Sequence, residues 1–426
     1  MKSDSVSRRG FLAKGVGGAA AFQIIRPELV RGFADEKLKA GLIGCGGRGT
    51  QAVENMLTGV PNVEVVALAD IFEDRMESSI RNTQRLKPEL SSRFKVDPDK
   101  RFVGFDAYKK LINSGVDIVM LATHPAYRPM HFEAAVEAGK HVFCEKPFGT
   151  DATGVRRFMA AARKSVEKKL TVKSGAQRRS HPDYLREYKR LKDGQIGDIV
   201  ALNAYWVGTP VLNFKNNPMF PGGKRNPAWA DMEFQSRNWY SFVWISGDQI
   251  VEQHLHNIDV CNWFMGTHPT EVVASGGAAW RPREEEYGNI YDHISADFVY
   301  PNGVHMSSYC RQFQGQGIAQ NVSEIIRGTK GVMQLNNPAN PVNPYVQEHT
   351  DMMASILGKG PYINESMAVA ESTLTCMMGR EAAYSGQKIT WDMMMNSKQD
   401  LLPKNFDMKA SFPPTPLPVP GVYKFV

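Results

Sequence analysis

No run of 18 or more apolar residues occurs in the sequence, so no segment reads as a membrane-spanning helix. Beyond its first 34 residues there is no stretch of lysine or arginine interleaved with aromatics, which removes the usual footing for nucleic-acid binding. Short cysteine pairs are also missing. Cys45, Cys144, Cys261, Cys310 and Cys376 stand singly in apolar runs and read as buried thiols rather than a disulfide framework. The net charge of +7 belongs mostly to the start of the chain. There Lys2, Arg8, Arg9, Lys14, Arg26 and Arg31 face only Asp4 and Glu28, leaving +3 for the rest. With 426 residues, 42% hydrophobic and 22% charged, the composition is ordinary globular and the length suits two domains or more.

Of the patterns present, the earliest is Ser7-Arg8-Arg9-Gly10-Phe11-Leu12 with Lys14, which resembles the twin-arginine export signal of bacteria, S-R-R-x-F-L-K. Residues 15–25 form a glycine-softened apolar segment too short to span a bilayer, and Gly32 and Ala34 flank Phe33 in the spacing a signal peptidase favours. Residues 1–34 are therefore expected to be a signal peptide, cut after Ala34, that takes the protein to the periplasm through the twin-arginine machinery. That route carries proteins folded beforehand, so any nucleotide cofactor is loaded in the cytoplasm.

The next stretch, residues 38–70, organises the chain. An apolar strand at 40–43 turns through Gly44-x-Gly46-x-x-Gly49 into a helix at 51–57. A second apolar run, 63–68, ends near Asp70, which lies 21 residues past Gly49. Gly44 permits the turn, Gly46 lets the backbone approach a pyrophosphate, and Gly49 lets the helix pack against the strand. Gly47 and Arg48 lie within the same phosphate-facing turn. The helix N-terminus attracts phosphate, and Asp70 can accept the ribose hydroxyls of an adenosine. This order predicts a dinucleotide site. No arginine at positions 71 or 72 is present to take a 2′-phosphate, so NAD is expected over NADP.

From Asp70 the chain reads as further strand–helix units. A polar helix is expected over 72–84, then a Lys/Asp/Pro-rich loop at 87–100 and a helix entered from Phe105. The continuous apolar run 116–122 reads as a strand buried on both faces. Thr123-His124-Pro125 ends it. A helix at 131–138, closed by Gly139, leads to a strand at 141–144 that runs into Glu145-Lys146-Pro147, and a strand at 170–175 precedes Gln177-Arg178-Arg179.

The segments ATHPAYRPMHFEAAVEAGKHVFCEKP and QRR, with the run 247–259, GDQIVEQHLHNID, resemble the Gfo/Idh/MocA oxidoreductases, over most of the chain past residue 34. The resemblance implies an α/β protein: an N-terminal Rossmann parallel sheet, residues 35–175, and a C-terminal α/β domain, 176–426, with an open, largely antiparallel sheet. It implies a substrate pocket and often homo-oligomer contacts on that second sheet. It also implies cofactor contacts at Thr123, His124, Glu145, Lys146 and Arg178, a catalytic role for Lys146, and a carbohydrate or polyol substrate. The family commonly has aspartate at the position of Glu252 and glycine at that of His254, and both differ here.

Read from the residues alone, Lys146 stands at the carboxyl end of a parallel strand, where open α/β sheets bind ligands, and Pro147 can set a sharp or cis bend that aims it. A lysine there can hydrogen-bond a substrate hydroxyl while hydride leaves the carbon. His256 follows Glu252 by four residues, so a continuous helix places acid and imidazole on one face as a proton-transfer pair. Glu252, His254, His256 and Asp259 could also ligate a metal, but 254 and 256 point about 200° apart on one helix, and no metal is expected. Tyr205, Trp206, Trp229, Phe234, Arg237, Asn238, Trp239, Tyr240, Phe242 and Trp244, with the Asn/Pro/Gly-rich loop 213–225, suit either a sugar-binding wall or core packing. Strands at 293–300 and 303–311 read as antiparallel, the Met-rich helix 367–385 as core, and the proline-rich tail 412–420 as extended chain over this or a neighbouring subunit. The expected activity is NAD(P)-dependent hydride transfer on a sugar, glycoside or polyol. The alternatives are redox-neutral, NAD-dependent glycoside cleavage and non-catalytic nucleotide or sugar binding.

Overall fold

The computed structural model of the protein describes residues 37–211, 223–336 and 340–426. The export motif within 1–34 and residues 213–222 of the Asn- and Pro-rich loop lie outside the described residues. Six strands form one sheet: β1 (Leu38–Ile43), β2 (Val63–Asp70), β3 (Arg101–Val103), β4 (Ile118–Leu121), β5 (His141–Cys144) and β6 (Val172–Ser174). Their order is β3-β2-β1-β4-β5-β6 and every pair is parallel. Helices α1 (Gly47–Gly59), α2 (Glu73–Gln84), α3 (Arg128–Glu137) and α4 (Ala152–Glu167) alternate with these strands. The central strands are covered on both faces, so a run such as that of β4 is apolar on both sides. Leu42, Ile118 and Met120 pack under α1 with Met56 and Leu57, whereas Ile43, Val119 and Leu121 pack on the other face with Phe132 and Phe158.

The second sheet contains β7 (Ile199–Gly208), β8 (Glu271–Gly277), β9 (His293–Val299), β10 (His305–Gln312), β11 (Asn321–Gly328), β12 (Val332–Leu335) and β13 (Ile389–Thr390). It runs β12-β11-β7-β10-β9-β8-β13, and only the β7–β10 pair is parallel. Burial alternates along β9, as in a sheet with one covered face. Helices α5 (Asp231–Arg237), α6 (Gln249–Glu252), α7 (Leu255–Met265), α8 (Pro344–Ile356) and α9 (Ser366–Ser385) complete the fold. α9 is buried almost all round and packs against α4, α7 and β8, which accounts for its methionines without a cofactor.

Three features differ from the sequence reading. The first helix begins at Gly47, inside the glycine motif, rather than at residue 51. The loop 87–100 contains a helical turn, Pro88–Ser91, whose N1 proline is preset for it. α8 crosses back to the first sheet, where Met352 and Met353 join the core under α1 and Thr350 donates to the Gly59 carbonyl at 3.3 Å. The tail lies over its own chain: the Tyr291 hydroxyl donates to the Pro418 carbonyl at 2.8 Å and Asn289 to the Thr415 carbonyl at 3.0 Å. All five cysteines are buried free thiols. Among the described residues no helix is long and apolar enough to cross a membrane.

Candidate functional site

A cleft of about 640 Å³ opens at the carboxyl ends of β1, β2, β4 and β5, and chain from the second-sheet half forms its far wall. It is the crevice at which open α/β sheets bind ligands. The glycine turn makes one end. Gly44 has φ +98°, and a Cβ there would stand 2.5 Å from the Ala122 carbonyl carbon and the Thr123 nitrogen; a Cβ on Gly49 would stand 1.9 Å from the Gly44 carbonyl oxygen. At Gly46 and Gly47 the same atom would meet nothing within 4 Å, so the backbone there is bare and a phosphate can approach the first turn of α1. Asp70 holds this turn: its carboxylate accepts the Cys45 amide at 2.6 Å and the Phe72 amide at 2.8 Å. Burial pushes its pKa up to about 6 against the pull of those two amides. Each oxygen keeps a second acceptor site for a ribose hydroxyl.

Arg48 leaves the glycine turn and reaches the catalytic end. Its Nε donates to Glu145 Oε1 at 2.5 Å and its Nη2 to Glu348 Oε1 at 3.3 Å, with the guanidinium 4.7 Å above the Tyr345 ring. Burial, and then the charge of Glu145, raise the Glu348 pKa well above the ordinary carboxylate range. Thr123 and His124 line the middle of the cleft. Burial, then the charges of Arg128 and Arg75, lower the His124 pKa to about 3 and so keep its ring neutral. Arg178 also lines the cleft, but its guanidinium is engaged with Glu324 of β11 and lies 5.5 Å above the Tyr184 ring.

β5 delivers Glu145 and Lys146 to the opposite end. The Lys146–Pro147 peptide is cis, and Arg128 donates to the Pro147 carbonyl at 2.9 Å. Lys146 Nζ donates to the Glu252 carbonyl at 2.5 Å and to Glu252 Oε1 at 3.0 Å. His256 is buried against Trp206, ring centroids 5.8 Å apart, and its Nδ1 has no hydrogen-bond partner among the described residues. Burial, then the charges of Lys146, Arg178 and Arg48, lower its pKa well below 6.5, so the ring is neutral and able to accept a proton.

The structure corrects the expected pairing of Glu252 with His256. α6 ends at Glu252 and α7 begins at Leu255, so the two residues do not share one helix face; Glu252 holds Lys146 instead. His254 is not in the cleft, because its Nε2 lies 2.8 Å from Ser308 Oγ, and Asp259 forms two 2.8 Å bonds to Arg179. The four residues weighed as metal ligands are thus held apart. Of the aromatic set, Trp206, Arg237, Trp239 and Tyr240 line the cleft, Tyr205 stacks on Tyr309 at 5.5 Å, and Phe234, Phe242 and Trp244 are core. Sequence reasoning assigned no site role to Gln177, Gln253, Tyr345 or Glu348. Gln177 was visible beside Arg178, but nothing local marks Tyr345 and Glu348.

The described residues match known proteins along both sheets. Residues 38–174 match the model described as "Oxidoreductase family, NAD-binding Rossmann fold", and residues 184–334 match the "GFO/IDH/MocA C-terminal domain". An uncharacterized oxidoreductase, YrbE, of Bacillus subtilis is 24% identical over 71% of this chain and 74% of its own length. The scyllo-inositol 2-dehydrogenase (NAD(+)) of Bacillus subtilis is 24% identical over 60% of this chain, which spans only 62% of that relative. The crystal structure of scyllo-inositol dehydrogenase from Lactobacillus casei, with bound NAD(H) and scyllo-inositol, superposes with a TM-score of 0.63 at 18% identity, covering 83% of this chain and 99% of that one. At that identity the likeness is one of fold.

Proposed function

Because the chain belongs to the GFO/IDH/MocA oxidoreductase family, whose N-terminal half is an NAD-binding Rossmann fold, we propose that it is an NAD-dependent oxidoreductase of a sugar or polyol. The observation that carries this reading is the meeting, in one cleft, of the Gly44–Gly49 and Asp70 cradle with a Lys146–Glu252 pair and a neutral His256. Bound NAD supplies the hydride acceptor. Lys146 donates a hydrogen bond to the reacting hydroxyl oxygen, Glu252 fixes the Lys146 ammonium, and the His256 ring takes the hydroxyl proton. Arg48 ties the glycine turn to Glu145, beside Lys146, so the nucleotide end and the reacting end are held in one geometry. Screening sugars and polyols for a change in absorbance at 340 nm tests the activity. A panel that leaves bound NAD unchanged while the protein is folded counts against it.

The Asp70 carboxyl makes NAD binding depend on pH. Ribose hydroxyls donate to the ionised form, which is dominant above about 6 and lost below it. NAD affinity is expected to fall about tenfold between pH 7 and pH 5, and Asp70→Asn to bind weakly at both. Calorimetric titration at the two pH values checks this, and an unchanged dissociation constant in the unsubstituted protein refutes it.

Export belongs to the same proposal. The motif at residues 7–14 supports passage through the twin-arginine machinery with NAD already bound, and a periplasmic site of action. Free nicotinamide cofactor is scarce outside the cytoplasm, so the enzyme must regenerate its own, either by reducing a second substrate in the same cleft or by returning the hydride. Protein purified without added nucleotide, dialysed and then denatured is expected to release about one NAD(H) per chain. A folded but empty preparation that needs millimolar NAD for steady turnover overturns sequestration. The outer face of the second sheet, with Val273 and the Tyr205–Tyr309 stack exposed or half-exposed, supports a homo-oligomer.

A further inference from the structure

The adenosine end of the cleft is roofed by chain from outside the first sheet. α5 ends at Arg237, and the single turn Trp239–Ser241 follows it. Arg237 directs Nη1 and Nη2 at the two oxygens of Asp74, on α2, at 3.2 Å each, and its Nε donates to Glu233 Oε1 at 2.9 Å. Its guanidinium carbon lies 3.9 Å from the ring centroid of Phe72. Phe72 is the second residue after Asp70, and its amide is one of the two that Asp70 accepts. The Trp239 ring lies 5.5 Å from that of His124, which follows β4 in the middle of the cleft. Arg237 and Trp239 both line the cleft.

This segment is braced from behind. Asp231 accepts the Phe412 amide at 2.9 Å and the Ser411 hydroxyl at 3.1 Å, and Phe406 packs against Phe105 at 5.3 Å and Tyr127 at 5.7 Å. The end of the chain therefore holds residues 231–241 down over the first sheet. The acid at the end of β2 fixes the adenosine ribose, so the purine lies past it, beside Phe72. The Trp239 indole is a group on which a purine stacks, worth about 1–3 kcal/mol per base, and the Arg237 guanidinium, 5.1 Å from the Trp229 ring as well as against Phe72, holds Phe72 in place beside it. An ion pair as exposed on its Asp74 side contributes little to fold stability by itself. What it does is pin the roof.

We propose that Arg237 and Trp239 complete the adenosine-binding site from the second half of the molecule, and that the Arg237–Asp74 tie must open before the nucleotide leaves. The proposal rests on the reading that NAD occupies this cleft. It makes residues 231–241 the part of the fold that turns an exchangeable coenzyme into a slowly released one.

The test loads the full-length protein with NADH, mixes it with a large excess of NAD, and follows loss of bound-NADH fluorescence. Release is expected to be about tenfold faster or more in Arg237→Ala and in Trp239→Ala, with Arg237→Lys failing to rescue because an ammonium neither stacks nor forks. Asp74→Asn severs the same tie from a surface position, 58% exposed, and is expected to speed release several-fold without touching the core. Thermal unfolding of nucleotide-free Asp74→Asn is expected to match the unsubstituted protein, while its upward shift on adding NADH shrinks. Release at the original rate in both Arg237→Ala and Asp74→Asn overturns the proposal and leaves the NAD site standing. No NADH binding by the unsubstituted protein overturns both.

Discussion

Lys146→Ala is expected to lower turnover on the true substrate by roughly two to four orders of magnitude, and His256→Ala by a similar factor, with NAD still bound in each. The two ends of the cleft are built from different residues, which is why binding and chemistry should separate. Phosphates and adenosine meet the Gly44–Gly49 turn and Asp70, whereas Lys146 Nζ is held 3.0 Å from Glu252 Oε1 at the end of β5. Removing the ammonium leaves the Glu252 carboxylate near the reacting oxygen, where its charge opposes the developing alkoxide. Glu252 keeps a donor, Gln253 Nε2 at 2.6 Å, so the protein is not left with a wholly unpaired buried acid. His256→Asn keeps a polar side chain in part of that space but cannot take a proton, and so should be as slow as alanine. Because burial and three nearby cations hold His256 neutral, the acid limb of the rate profile should fall below the ordinary histidine range. Single-turnover measurement at 340 nm on preloaded protein checks all three variants. Near-normal turnover in both Lys146→Ala and His256→Ala removes the pair from the mechanism.

Arg380→Met is expected to cost about 3–5 kcal/mol of stability, the range for breaking one side of a buried ion pair. Arg380 lies in α9 and is wholly buried. It donates to Glu381 Oε1 at 2.9 and 2.7 Å, to the Thr150 carbonyl at 2.7 Å, to the Gly247 carbonyl at 3.0 Å and to Gln399 Oε1 at 3.1 Å. Those partners come from the segment after Lys146, the turn before α6 and the chain that leads into the tail, so a single guanidinium joins three segments that frame the cleft. Methionine fills part of the volume but leaves the Glu381 carboxylate buried without its cation. Adding Glu381→Gln to Arg380→Met should recover more than half of the loss, since the remaining groups are neutral and Gln399 and Tyr423 can still pair. Urea unfolding of the four proteins in this cycle measures the coupling. A loss below about 1 kcal/mol in Arg380→Met would show that water or repacking replaces the arginine.

The sequence displays features whose logic is local. The glycine turn, the acid after β2 and the Glu145-Lys146-Pro147 bend each occupy a few consecutive residues, and strand ends fix where they point. Fully apolar runs such as Ile118–Leu121 identify a sheet covered on both faces, and alternation along His293–Val299 identifies one covered on a single face. What could not be read was any contact whose partner lies far along the chain. The i, i+4 spacing of Glu252 and His256 suggested one helix, yet Gln253 and His254 interrupt it, because Glu252 must turn to Lys146 while α7 starts afresh with the His256 amide donating to the Gln253 carbonyl at 3.2 Å. Arg237 with Asp74 and Arg48 with Glu348 show no periodic signature at all. His254 looked polar enough for the site, but its partner Ser308 comes from β10 and draws it into the interior.

The bond from Arg48 to Glu348 spans 300 positions of chain. A ribosome adds roughly 5–20 residues each second, so the first sheet, complete at Ser174, precedes the start of α8 at Pro344 by roughly 9–34 s. Throughout that interval the end of α1 at Gly59 that α8 will cover is bare, and Arg48 has Glu145 and Gln51 but not Glu348 to hold it. The glycine turn is thus translated early, while the pocket it belongs to is among the last parts to be finished. The pocket is therefore expected to be completed only once α8 has emerged, late in the synthesis of each chain.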